Sequence, residues 1–173
     1  MAAQTTSKSE QQLVAHVDQH LGEGKALLER VVNVNSGSLN LAGVRAVGGL
    51  FRAELDALGF KTRWVDGAAF QRAGHLIAER GTKGPKVLLI GHLDTVFEQD
   101  SPFQKLEWRG DSAAAGPGVT DMKGGDVIMI QALKALAASG QLDRLQVTVV
   151  LTGDEELTGE PQELARQALR EAA

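Results

Sequence analysis

The chain has 173 residues, enough for one domain with a full core and short for two. With 43% hydrophobic and 23% charged residues and a formal net charge of -4, it has the make-up of an ordinary folded protein, and its scattered basic residues argue against nucleic acid as a partner. Cysteine is absent, which excludes a disulfide framework, thiolate zinc sites and a cysteine nucleophile, so any metal must be held by His, Asp and Glu.

Residues 1–9 form a polar tail without the apolar core of a signal peptide. No run approaches the roughly 20 apolar residues needed to cross a bilayer. As written, the chain reads as soluble and cytoplasmic with no membrane partner, or as periplasmic or secreted if a leader has been removed. Residues 10–34 carry Leu13, Val14, Val17, Leu21, Leu27, Leu28, Val31 and Val32 near helical spacing, interrupted by Gly22 and Gly24. Two helical pieces or one bent helix are expected. His16 and His20 stand four apart, a spacing that can clamp a metal on a helix. With no Glu beside the first His and no third ligand nearby, they read instead as a solvated helix face.

A polar turn at residues 33–38 precedes a helix starting near Leu39 to Leu41 and stopping at Gly59. Residues 60–65 alternate like a strand, and Asp66-Gly67 turns it. A second strand runs from His75 to Arg80, with His75 in a structural role. Lys86 to Gly91 is the most apolar strand and is expected at the centre of a sheet. Beyond Val96 the chain is irregular, with a short edge strand at Leu106 to Arg109. A helix from about Gly124 to Ser139-Gly140, a strand from Leu145 to Leu151 and a last helix, Gln162 to Ala172, complete the chain. The alternation of helices and strands predicts an α/β layered sheet in one domain over residues 10–173.

Three clusters occupy comparable places. His92 and Asp94 directly follow a strand, Asp121 precedes a helix, and Glu155 and Glu156 follow a strand. Loops at the carboxyl ends of strands in open α/β sheets are where ligands collect. In extended backbone, His92 and Asp94 share a face, as a metal-binding imidazole and its orienting acid do, or as a hydrogen-bonded loop histidine does. Asp121 can equally cap a helix in its Gly-rich turn, and Asp154-Glu-Glu156 can be a solvated acidic loop. Gly116-Pro-Gly118 lacks the third glycine of a dinucleotide fingerprint, and no Gly-Lys-Ser/Thr occurs, which argues against a phosphate site. A thiol-free set of carboxylates and imidazole suits hard divalent ions, and such a site can activate water.

Gly91-His-Leu-Asp-Thr-Val96, Gly116-Pro-Gly-Val-Thr-Asp-Met-Lys-Gly-Gly125 and Thr152-Gly-Asp-Glu-Glu156, in this order and spacing, resemble the M20 family of zinc peptidases, its glutamate carboxypeptidase branch above all. The resemblance covers nearly the whole chain from the first helices onward. It implies a three-layer αβα sandwich with a mostly parallel mixed sheet. It further implies that His92 binds one Zn2+, Asp121 bridges two, and Glu156 binds the other, with Co2+ or Mn2+ as possible substitutes. Asp94 would orient His92, Glu155 would be the general base, and the bond Asp121–Met122 would be cis. The implied reaction is hydrolysis of a C-terminal amide of a peptide or N-acyl amino acid substrate. An amidohydrolase, deacylase or dipeptidase of the same family is the alternative, and a metal-free scaffold or binding module is the alternative of another class.

Members of this family have about twice this length, with an inserted dimerisation domain, a further acidic ligand and a final histidine. No histidine follows His92, and Glu160 and Glu163 lie too close after Glu156 to match the further ligand. The expectation is therefore an amino-terminal part of a longer homodimeric enzyme, inactive by itself, with an exposed sheet edge.

Overall fold

The computed structural model describes residues 6–173. Helix α1 (Lys8–Gln19) opens on a reciprocal cap: Ser7 Oγ accepts the Glu10 amide at 3.2 Å, and the Glu10 carboxylate accepts the Ser7 amide at 2.6 Å. It therefore starts inside the stretch read as a polar tail, whose residues 1–5 lie outside the described residues. Helix α2 (Leu21–Val32) follows after a break at His20, where φ is -108° and ψ 15°. The two helical pieces are as expected, but the break is not at Gly22 or Gly24, which both lie within α2.

Helix α3 (Leu41–Ala57) begins at Asn40, whose side chain accepts the Gly43 amide at 3.1 Å, and it ends before Gly59, at φ 78°. Strands β1 (Lys61–Asp66), β2 (Gly74–Arg80) and β3 (Lys86–His92) come next. Two three-residue strands, β4 (Glu107–Arg109) and β5 (Ala113–Ala115), pair as a separate antiparallel hairpin. Helix α4 (Lys123–Ala138), strand β6 (Gln146–Thr152) and short helices α5 (Gln162–Ala165) and α6 (Gln167–Ala172) finish the chain. The bond Asp121–Met122 is cis. No helix among the described residues is long and apolar enough to cross a membrane.

The main sheet has the order β1-β2-β6-β3. Only β3 and β6 run parallel, while β1–β2 and β2–β6 are antiparallel. The expected sheet is mixed as implied, but mostly antiparallel rather than mostly parallel. One face carries the main core. Val44, Val47, Phe51 and Leu55 of α3 and Val127, Ile130 and Leu133 of α4 pack there against Leu76, Ala78, Val147, Val149 and Leu151. The intervening residues of β2 point the other way, as strand alternation requires. There the fully buried His75 meets α5, donating through Nε2 to the Ala165 carbonyl at 2.9 Å. The sandwich is thus three-layered, with a thin second helical layer.

A second correction concerns β3, which lies at the sheet edge, whereas β6 is central. Its apolar composition cannot by itself distinguish these positions. Val87 and Leu89 pack on the core face, but Ile90, on the opposite face, is 51% exposed.

Candidate metal centre

The parallel β3–β6 pair sets His92 opposite Thr152, so the chain leaves both strands at the same end of the sheet. Leu93 N–H donates to the Thr152 carbonyl at 2.7 Å, which extends the pairing into the loops. Three and four residues beyond Thr152 come Glu155 and Glu156. One ligand atom each from His92, Glu155 and Glu156 lies within 4.8 Å of the others. No other such group of three occurs among the described residues. Asp121, just ahead of α4, stands outside that group but is joined to it through His92, whose Nε2 lies 2.9 Å from Asp121 Oδ1. The side chain of Asp121 is mostly exposed.

The other ring nitrogen of His92, Nδ1, donates to the backbone carbonyl of Asp94 at 3.0 Å, with the Asp94 carboxylate at 3.4 Å. Burial opposes a charged imidazole here, but the carboxylates of Asp94 and Asp121 outweigh it, and the His92 pKa rises to about 9. Glu156 is shifted upward, first by burial and then by the negative charge of Asp121. Both shifts reflect the carboxylates gathered around a single imidazole. One imidazole nitrogen and several carboxylate oxygens without a thiol are a donor set that fits a divalent ion such as Zn2+.

Asp94 has more partners than its sequence position indicates. Its fully buried carboxylate accepts the Glu155 amide on Oδ1 and the Glu156 amide on Oδ2, both at 3.1 Å, and the Ser38 hydroxyl on Oδ2 at 2.6 Å. Ser38 lies in the polar turn before α3, and nothing in its local sequence points to this contact. Burial would raise the Asp94 pKa, yet His92, Ser38 and the two amides bring it below the ordinary carboxylate value.

Asp154 is not part of a solvated acidic loop. It is fully buried, accepts the Gly159 amide at 3.0 Å and the Arg166 guanidinium at 3.1 Å, and so braces the loop that presents the two glutamates. His75 supports the same loop by accepting the Gly153 amide on Nδ1 at 3.2 Å. At the start of α4, the buried Lys123 donates to the carbonyls of Val31 and Val34 at 3.0 and 2.9 Å, tying the Asp121 turn to the end of α2. Asp126 is buried below Gly91 with no hydrogen-bond partner on either oxygen. Outside this region, the rings of His16 and His20 stack at 4.0 Å, and His20 Nδ1 bonds to the His16 carbonyl, so the pair does not converge on a metal position.

Residues 88–172 match peptidase family M20/M25/M40. Carboxypeptidase G2 of Pseudomonas sp. (strain RS-16) is 34% identical over 134 residues, covering 75% of this chain and 31% of that protein. Succinyl-diaminopimelate desuccinylase of Gluconacetobacter diazotrophicus is 33% identical over 112 residues, covering 62% of this chain and 29% of the relative. Human carnosine dipeptidase 1 shares the fold, with a TM-score of 0.77 at 23% identity over 93% of this chain and 37% of that structure. The chain spans about a third of the length of these proteins. The part of the chain that carries the candidate centre, residues 88–172, thus matches peptidase family M20/M25/M40, and the chain is similar in sequence to these two curated relatives.

Proposed function

We propose that this chain carries part of the metal site of a zinc-dependent hydrolase of amide bonds, acting at the C-terminal residue of a peptide or on an N-acyl amino acid. The observation that carries this reading is the convergence of His92, Glu155 and Glu156 within 4.8 Å, with Asp121 Oδ1 2.9 Å from His92. His92, Asp121 and Glu156 are the residues that would hold the metal. Zinc at this position would supply a Lewis acid for the scissile carbonyl and lower the pKa of water.

The remaining chemistry belongs to side chains of the chain. Nδ1 of His92 is held by the Asp94 carbonyl, which leaves Nε2 facing Asp121 and the glutamates. Asp94 fixes the backbone of the Glu155-Glu156 turn, so the two carboxylates are presented from a rigid support. Glu155 Oε2 lies 4.0 Å from His92 Nε2, and its side chain is 56% exposed. An accessible carboxylate beside the ligand nitrogen can take a proton from the attacking water and return it to the leaving amine. A scaffold that used no metal would have no need of this group together with His92 and Asp94.

Catalytic zinc usually has about three protein ligands. His92, Asp121 and Glu156 would together offer one imidazole and two carboxylates, fewer protein ligands than two such ions would take. The 173-residue chain by itself is accordingly expected to bind metal with little or no turnover. The test is release of amino acid from a panel of acylated amino acids, run on this chain and on a protein of the relatives' length that contains it. Zinc-dependent turnover by the longer protein, abolished by Glu155→Ala, supports the reading. No turnover by the longer protein on any substrate contradicts it, and turnover by the 173-residue chain contradicts the expected inactivity.

A further inference from the structure

A cavity of about 420 Å³ opens beside the candidate ligands and shares Asp121 and Glu156 with them. Its other walls include Val96, Phe97 and Phe103 from the loop after β3 and Ala114 and Ala115 of β5. Lysine and arginine are absent from its lining. We propose that this cavity receives the acyl side of the substrate and selects an uncharged apolar group, such as an aryl or branched alkyl chain. The proposal rests on the amide hydrolysis argued above and names the substrate class of that same site.

The walls are held in place. Phe97 and Phe103 meet edge to face with centroids 5.0 Å apart. The Asn35 amide donates to the carbonyl of Phe97 and to Gln104 Oε1, both at 2.9 Å, and the Gln104 amide donates to the carbonyls of Glu98 and Ser101 at 2.9 and 2.8 Å. The loop carrying the aromatic wall is thus cross-linked by side-chain amides. The small side chains of Ala114 and Ala115 in the same lining leave room.

Val96 is 63% exposed, a large apolar residue outside the core but directly beside the site. Mostly apolar walls with a few polar groups are the usual form of a ligand cavity of this size. A second carboxylate on the acyl group, as in a succinyl chain, would enter a space whose charged lining residues, among the described residues, are the carboxylates Asp121 and Glu156. No lysine or arginine of that lining would receive it.

The test uses the isotopically labelled 173-residue chain, with and without one equivalent of Zn2+, titrated with 3-phenylpropionate and with succinate while amide resonances are followed. The expected result is at least tenfold tighter binding of 3-phenylpropionate, with the largest shifts at Val96, Ala114 and Ala115. Val96→Lys, at an exposed position, is expected to strengthen succinate binding at least fivefold, and Ala114→Leu to weaken 3-phenylpropionate by a similar factor. Equal or tighter binding of succinate by the unaltered chain overturns the proposal. So does an unchanged preference in both variants when their melting temperatures and zinc affinities match the parent. Zinc binding without the ligand preference refutes the cavity's role alone, whereas failure to bind zinc refutes the metal reading beneath it.

Discussion

Asp94 Oδ2 accepts the backbone N–H of Glu156 at 3.1 Å, and Oδ1 of the same carboxylate accepts that of Glu155. The acid that the sequence pairs with His92 is therefore also the support of the glutamate turn, 61 and 62 residues away. One buried group couples both halves of the candidate site.

Asp94→Asn is expected to lower zinc affinity about 10- to 100-fold, the usual cost of disturbing a group that orients a ligand. It should also destabilise the fold by roughly 1–3 kcal/mol, because an amide nitrogen would face N–H donors. Titration calorimetry and urea unfolding check the two effects. Since the Asp94 pKa is depressed from its ordinary value of 3.8, its stabilising contribution is fully present above that pH and is lost as pH falls through the lowered value. Unaltered zinc affinity in the variant would show that the glutamate turn does not depend on Asp94.

Gly91 has no room for a side chain. A Cβ there would lie 2.0 Å from Asp126 Oδ1, next to His92 in β3. Gly91→Ala is expected to cost about 1–3 kcal/mol through overpacking. Asp126→Ala should relieve most of that loss, so the double variant will be more stable than the sum of the single changes allows. Additive losses in urea unfolding would refute the contact.

Asp126 has no hydrogen-bond partner, and burial pushes its pKa from 3.8 up to about 8, against the pull of His92 and Lys123. A raised carboxylate pKa means that the folded chain keeps a proton which the unfolded chain has lost. Stability should therefore decline as pH rises from about 4 to about 8, by on the order of a few kcal/mol. Asp126→Asn removes this titration, and thermal melts across that range should show a flatter profile than the parent. Parallel profiles would contradict the assignment.

Much of this arrangement was legible in the sequence because it is local. Helix α3 follows from its apolar spacing and Gly59, α4 from its apolar run and Gly140, and the end of β3 from the sequence of residues 86–92. The three clusters were visible because each sits at the end of an element. Sheet order was not, since an apolar strand looks alike at an edge and at a centre, and the reverse-face exposure of Ile90 depends on what covers it. The partners of Asp94 were equally hidden. Ser38 and the two glutamate amides approach it through the tertiary fold, and backbone N–H groups leave no trace in residue identity. Asp154 read as solvent-facing because it stands in a run of acids, although Arg166 and the Gly159 amide hold it inside.

Zinc titration of the 173-residue chain and its single variants tests the central claim most directly. The account predicts stoichiometric binding that is lost or weakened at least 100-fold in His92→Ala, Asp121→Ala and Glu156→Ala, and is largely kept in Glu155→Gln, whose proposed task is proton transfer. Absence of stoichiometric zinc, or binding indifferent to His92 and Asp121, would contradict it.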